Sequence, residues 1–95
     1  METYILKKSD RKGKRFVIIM EGMRHHFGSE TGMTFIDGRS EKEKQAWISR
    51  HKNDKNWNNN HSSIFFSRHL LWNTKDLKKN IKLLEKSNIK KDLQH

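Results

Sequence analysis

Cysteine is absent from this chain of 95 residues, and so is proline. Without cysteine there is no disulfide scaffold and no thiolate metal site, which fits a reducing compartment. Without proline, the turns fall to Gly, Asn, Asp and Ser. Apolar residues make up only 32% of the chain. No run of about 18 of them exists, so no membrane-spanning helix is expected. No apolar stretch follows Met1, so no secretory signal is expected. Acidic side chains are scarce as well: 11 Asp and Glu stand against 21 Lys and Arg, a formal charge of +10. The length excludes a multidomain enzyme with its own cofactor domain.

What remains is a small aromatic core in a basic shell. Three Trp, five Phe and one Tyr cluster with Ile and Leu. The front of the chain reads as strands. Thr3-Tyr4-Ile5-Leu6 and Phe16-Val17-Ile18-Ile19-Met20 are β-prone runs, and the polar stretch Lys7–Arg15 between them contains Gly13. That pattern predicts a hairpin. Glu21-Gly22 marks a second tight turn, and Met23-Arg24-His25-His26-Phe27-Gly28 makes a third strand with Met23, His25 and Phe27 on one face. A glycine-bearing connector follows, pinned by Met33, Phe35 and Ile36. Ser40-Glu41-Lys42-Glu43 is a capping box, which predicts a helix from about Glu41 to His51. Asn53–Asn60 reads as a loop anchored by Trp57. Ser62-Ser63 can cap a second, strongly apolar helix over Ile64–Trp72. Asn73-Thr74 then breaks and recaps the chain. A third helix is expected from Lys75 to about Ser87, with Leu77, Ile81 and Leu84 as its apolar stripe. The expected architecture is α+β: an N-terminal antiparallel β-meander of two to three strands packed on two to three C-terminal helices. Residues 1–87 form the domain and 88–95 a basic tail expected to fray.

The charge is uneven. The first 28 residues carry seven bases and three acids, and residues 61–95 carry eight and three, whereas the middle is nearly balanced. The stretch Lys7–Arg15 holds six bases: Lys7, Lys8, Arg11, Lys12, Lys14 and Arg15. Such a tip attracts a phosphate backbone; the plain alternative is a solvated turn. Lys78, Lys79 and Lys82 on the third helix offer a second patch, although lysines on a short helix usually serve solubility.

Catalytic and metal-binding patterns are weak. His25 and His26 point to opposite faces of a strand, and His61 and His69 lie two helical turns apart, so no metal site is expected. There is no Gly-x-Ser-x-Gly elbow and no phosphate loop. A small metal-dependent nuclease built on His51 and His61 ranks last, and no cofactor is expected. The aromatic residues Trp47, Trp57, Phe65, Phe66 and Trp72 are able to stack bases, but their spacing favours a core role. Trp47, Trp57, Arg68 and Trp72 are therefore taken as structural or interface residues, with Arg68 expected to pair with an acid such as Glu43 or Asp54.

Arg50-His51-Lys52, Asn56-Trp57-Asn58 and Phe66-Ser67-Arg68-His69-Leu70-Leu71-Trp72-Asn73, followed by Leu77 and Ile81, resemble a family of small basic proteins encoded by large double-stranded DNA viruses. Lys8-Ser9-Asp10-Arg11-Lys12-Gly13-Lys14 and His26-Phe27-Gly28 fit its front half. The resemblance spans roughly residues 5 to 85, and the Ser-Arg-x-Leu-Leu-Trp-Asn string is its most specific part. Where that family carries a Pro and a Thr-Ala-Gly, this chain has Asn59-Asn60-His61-Ser62-Ser63. The resemblance implies a viral source and a virion- or genome-associated role, in the virion or in the host cytoplasm and virus factory, and it carries over no activity. The sequence thus points to a non-enzymatic protein that binds nucleic-acid phosphate, duplex DNA foremost, without sequence preference. The alternative is a minor capsid or virion protein whose basic surfaces meet an acidic coat protein. No membrane partner is expected.

Overall fold

The computed structural model describes residues 4–86. Three antiparallel strands come first: β1 (Tyr4–Lys8), β2 (Lys14–Met20) and β3 (Met23–Ser29), in the order β1-β2-β3. A 3-10 turn (Phe35–Asp37) leads to α1 (Glu41–His51). Then come α2 (Ser63–Phe66), a π-helical segment (Ser67–Leu71) and α3 (Leu77–Leu84). The fold is α+β, as the sequence predicts. Thr3, Ser87 and the basic tail over 88–95 lie outside the described residues.

The strands run further than their apolar residues suggest. Lys7, Lys8, Lys14 and Arg15 belong to β1 and β2, so the turn itself is only residues 9–13. The β2–β3 turn has Glu21 and Gly22 both at positive φ (53° and 75°), the two-residue geometry that matches strand twist. Register places Ile18 opposite both Leu6 and His25, and Phe16 opposite Phe27. This face, with Tyr4 and Met20, turns toward the helices. Phe66 is fully buried against it, its ring 5.9 Å from Phe27 and 5.5 Å from His25. Each such side chain contributes about 1.5–3 kcal/mol of burial.

The Ser40 capping box forms as read: Ser40 Oγ accepts from Glu43 N at 3.1 Å, and Glu43 Oε1 accepts from Ser40 N at 3.1 Å. The second helix departs from expectation. It starts with Ser62 as N-cap but widens after Phe66 into a π turn, closed by Trp72 N donating to Ser67 O at 3.1 Å. The cause is the pair spacing. Phe65-Phe66 and Leu70-Leu71 recur five apart, the interval of the π hydrogen bond, and all four are buried. The third helix also starts later than Lys75. Asp76 is its N-cap, its carboxylate accepting from Lys78 N at 3.0 Å and Lys79 N at 3.4 Å. Thr74 instead belongs to the preceding loop.

Gly28 marks where β3 meets the helices. Its φ is +80°, and a Cβ there would lie 2.9 Å from Leu71 Cδ1 and 3.2 Å from Arg15 Cβ. Gly28→Ala therefore adds backbone strain to overpacking. The expected loss is about 1–3 kcal/mol, read as a lower urea midpoint at unchanged slope.

Candidate nucleic-acid interface

The basic tip is built on an ordered turn. Ser9 N donates to Arg15 O at 3.0 Å, and Lys14 N to Arg11 O at 3.1 Å. Gly13, at φ +85°, provides the left-handed step. Its N–H donates to Glu30 Oε2 at 2.9 Å, and its carbonyl accepts from Glu30 N at 3.2 Å, so the start of the connector braces the turn. Ser9 Oγ is hydrogen-bonded to His26 Nδ1 at 2.7 Å and accepts from Arg11 N at 3.0 Å. The backbone that carries the charges is held from both sides.

Five of the six predicted tip cations are exposed and make no ion pair among the described residues: Lys7, Lys8, Arg11, Lys12 and Lys14. Strand alternation places Lys7 on the outer face, in register with Val17, and Lys8 on the inner face, in register with Phe16. The sixth, Arg15, is occupied. Its two terminal nitrogens bind both carboxylate oxygens of Asp37, at 2.5 and 2.7 Å, in a bidentate pair. That guanidinium holds the Asp37 carboxyl well below the usual carboxylate range, assisted by hydrogen bonds from Thr34. Arg15 thus joins the sheet to the 3-10 turn instead of reaching for phosphate.

The second predicted patch lies on a different element from the first. Ile81 and Leu84 meet Tyr4, Leu6, Ile18 and Leu70, so α3 lies across the inner face of β1 and β2. Its Glu85 end reaches Tyr4, whose phenol pKa is raised by burial and by that carboxylate. Tyr4 pairs with Met20, at the end of the sheet away from the basic tip. From Tyr4 to Lys8 the strand climbs about 13 Å. Lys78, Lys79 and Lys82 are exposed on α3. The Glu85 end of α3 and the hairpin tip therefore lie at opposite ends of β1.

The three Trp residues converge. Trp47 of α1 stacks on Trp72 at 5.2 Å between ring centres and 12° between planes, and Trp57 from the loop meets Trp47 at 5.8 Å. Arg68 does not pair with Glu43 or Asp54. Its guanidinium sits 4.3 Å over the Trp57 ring, and Nη1 donates to Trp57 O at 3.1 Å and Asn58 Oδ1 at 3.0 Å. Glu43 is taken by Arg39 at 2.7 Å, and Asp54 faces its own turn through Asn56 N. Burial lowers the Arg68 pKa.

Comparison with protein-family models, curated proteins and solved structures finds no match to this chain. No cluster of three or more His, Asp or Glu able to hold a metal occurs among the described residues. No helix of these residues is long and apolar enough to cross a membrane.

The histidines contain pairings that spacing did not show. His25 and His26 do face opposite ways, but His25 meets His61, 36 positions later in the chain, with ring centres 5.6 Å apart. His25 Nε2 is buried without a hydrogen-bond partner among the described residues. Burial and the His61 charge lower its pKa. His69 packs 4.4 Å from Phe65, and burial followed by the Arg68 charge lowers its pKa to about 4. Both rings resist protonation in the fold. Below the ordinary histidine pKa of about 6.5 the unfolded chain binds protons that the folded chain refuses, so acid favours unfolding. Stability is full above that value and falls as pH drops from 6.5, and the His69 contribution levels below about 4. Urea midpoints between pH 7.5 and pH 4 are expected to show that slope, and His69→Leu to flatten most of it.

Proposed function

We propose that this chain is a non-enzymatic nucleic-acid-binding protein that grips the phosphate backbone of duplex DNA without reading sequence. The observation that carries the reading is the hairpin tip: five exposed cations without acidic partners among the described residues, on a turn braced before any ligand arrives. Four of the five are lysines, compact point charges that meet phosphate oxygens and carry no base code. A pre-ordered turn loses little entropy on binding. The resemblance to small basic proteins of large double-stranded DNA viruses supports a genome- or virion-associated setting.

The test is fluorescence anisotropy with labelled duplexes of two unrelated sequences across a salt series. Five phosphate contacts give a log–log slope of about −4.5. Both duplexes are expected to share it, with affinities within about threefold of one another, far below the gap that direct base readout produces. Absence of binding at low salt rejects the reading; a large preference for one sequence rejects its non-specific character.

A further inference from the structure

The loop of residues 52–61, between α1 and α2, closes mainly on itself. Asp54 N donates to His51 O at 2.9 Å, Trp57 N to Asp54 O at 3.0 Å, and Asn59 N to Asn56 O at 3.0 Å. Both of its ends are fixed. The His51 ring lies on Trp47 with centres 4.7 Å apart, and Ser63 Oγ donates to His26 O at 2.5 Å, which keeps the start of α2 on β3. Between those ends the loop meets the fold at Trp57 on Trp47, at Arg68, and at His61 on His25. Trp57 and Arg68 do not change charge between about pH 5 and 8, whereas imidazoles do. His69, beside Arg68, has its pKa lowered to about 4 and so stays largely neutral down to pH 5.

His25 lies on the inner face of β3, opposite Ile18 of β2 and 5.5 Å from the Phe66 ring of α2. Its chain neighbours Arg24 and His26 point to the other face. The titratable group whose charge reaches it is His61, which is exposed. Neither ring has an acidic partner among the described residues. A fully protonated His25 carries an N–H at both ring nitrogens, and the one at buried Nε2 has no acceptor among those residues. While the rings touch, a proton on one also opposes a proton on the other. Once they part, water reaches both and both accept protons. The separated state binds more protons, so acid shifts the balance toward it. We propose that the His25–His61 contact is an acid-sensitive latch: it holds the 52–61 loop on the sheet and releases it when both rings are protonated, with the sheet and α2 still in place. Local opening of this kind needs less free energy than unfolding the domain.

Amide hydrogen exchange on the full chain, read by NMR as protection factors that remove the intrinsic pH dependence of exchange, tests the latch. The amides of Trp57 and Asn59 should exchange through an opening that low urea does not promote, and their protection should fall about tenfold from pH 7 to pH 5. In His61→Gln, at an exposed position and with circular dichroism as the folding control, that fall should vanish. The amides of Val17 and Ile18 in β2, which report unfolding of the whole domain, should keep their own pH dependence in the same variant, because His69 is untouched. The His25 ring protons in His61→Gln should titrate at a higher pH than in the parent, since the opposing charge is gone. Loop protection that is equal at pH 7 and pH 5, or that falls as much in His61→Gln as in the parent, overturns the proposal. Loop exchange that rises with low urea in step with Val17 and Ile18 overturns it too, because the loop then opens only with the whole domain.

Discussion

Asn80→Leu is expected to lower the unfolding free energy by about 3–4 kcal/mol, the largest stability effect of any single substitution considered for this fold. Asn80 is fully buried on α3. Its Nδ2 donates to Leu70 O at 3.0 Å and to Thr74 O at 3.1 Å. Its Oδ1 accepts from Thr74 N at 3.0 Å and from Thr74 Oγ1 at 2.5 Å. One side chain thus closes the π-helical segment, whose last turn leaves Leu70 O unpaired, and fixes the loop before α3. Leu fills the volume but answers none of these groups. Each buried backbone group left unpaired costs about 1–3 kcal/mol, and the added apolar burial returns only part of it. A domain of this size holds about 5–14 kcal/mol in total, so the melting temperature should fall by about 15–25 °C. Thr74→Val removes only the hydroxyl and should cost about 1 kcal/mol. The double variant should cost less than the two losses together, because both act on the same bonds. A loss below about 1 kcal/mol for Asn80→Leu in urea unfolding would mean that the loop is held by apolar packing instead.

Asn80 also shows where the sequence was legible and where it was not. Leu77, Ile81 and Leu84 announce an amphipathic helix, and the structure contains it. Asn80 occupies the remaining slot of that same i, i+3, i+4, i+7 stripe, so its burial was written in the periodicity, but a polar residue there reads as an interruption. The local signals carried through in the same way. The Ser40 box begins α1 at Glu41, and Glu21-Gly22 closes β2 onto β3. What local patterns could not carry were partnerships across the chain. Arg15 and Asp37 are 22 positions apart and look like any other base and acid until the sheet meets the 3-10 turn. Arg68 invited an acidic partner by its position in an apolar helix, yet the loop delivers Trp57 and Asn58 to it instead. The π turn was hidden for a related reason: a helix apolar on every side has no stripe whose period distinguishes the two geometries.

The pairing of Arg15 sharpens the test of the candidate interface. Replacing Lys8, Arg11, Lys12 and Lys14 together with Ser leaves every backbone hydrogen bond of the turn in place, because Ser9, Gly13, His26 and Glu30 supply the bracing. Folding should therefore survive, with a urea midpoint near that of the parent. Duplex affinity should not. Four phosphate contacts correspond to about 3.6 units of log–log slope, so at about 0.1 M salt the affinity should drop by roughly a thousandfold and the slope flatten toward about −1. Arg15→Ser should do the reverse. It breaks a bidentate, partly buried pair and releases Asp37, so it should lower stability by about 1–3 kcal/mol while leaving the salt slope nearly unchanged. The triple replacement of Lys78, Lys79 and Lys82 provides the opposing arm, since those side chains belong to α3 and not to the hairpin. If that variant flattens the slope and the hairpin variant does not, the contact surface lies on α3 and the tip is only a solvated turn. If both flatten it by comparable amounts, the two patches hold backbone independently, and each single-site variant should retain about half of the parent slope.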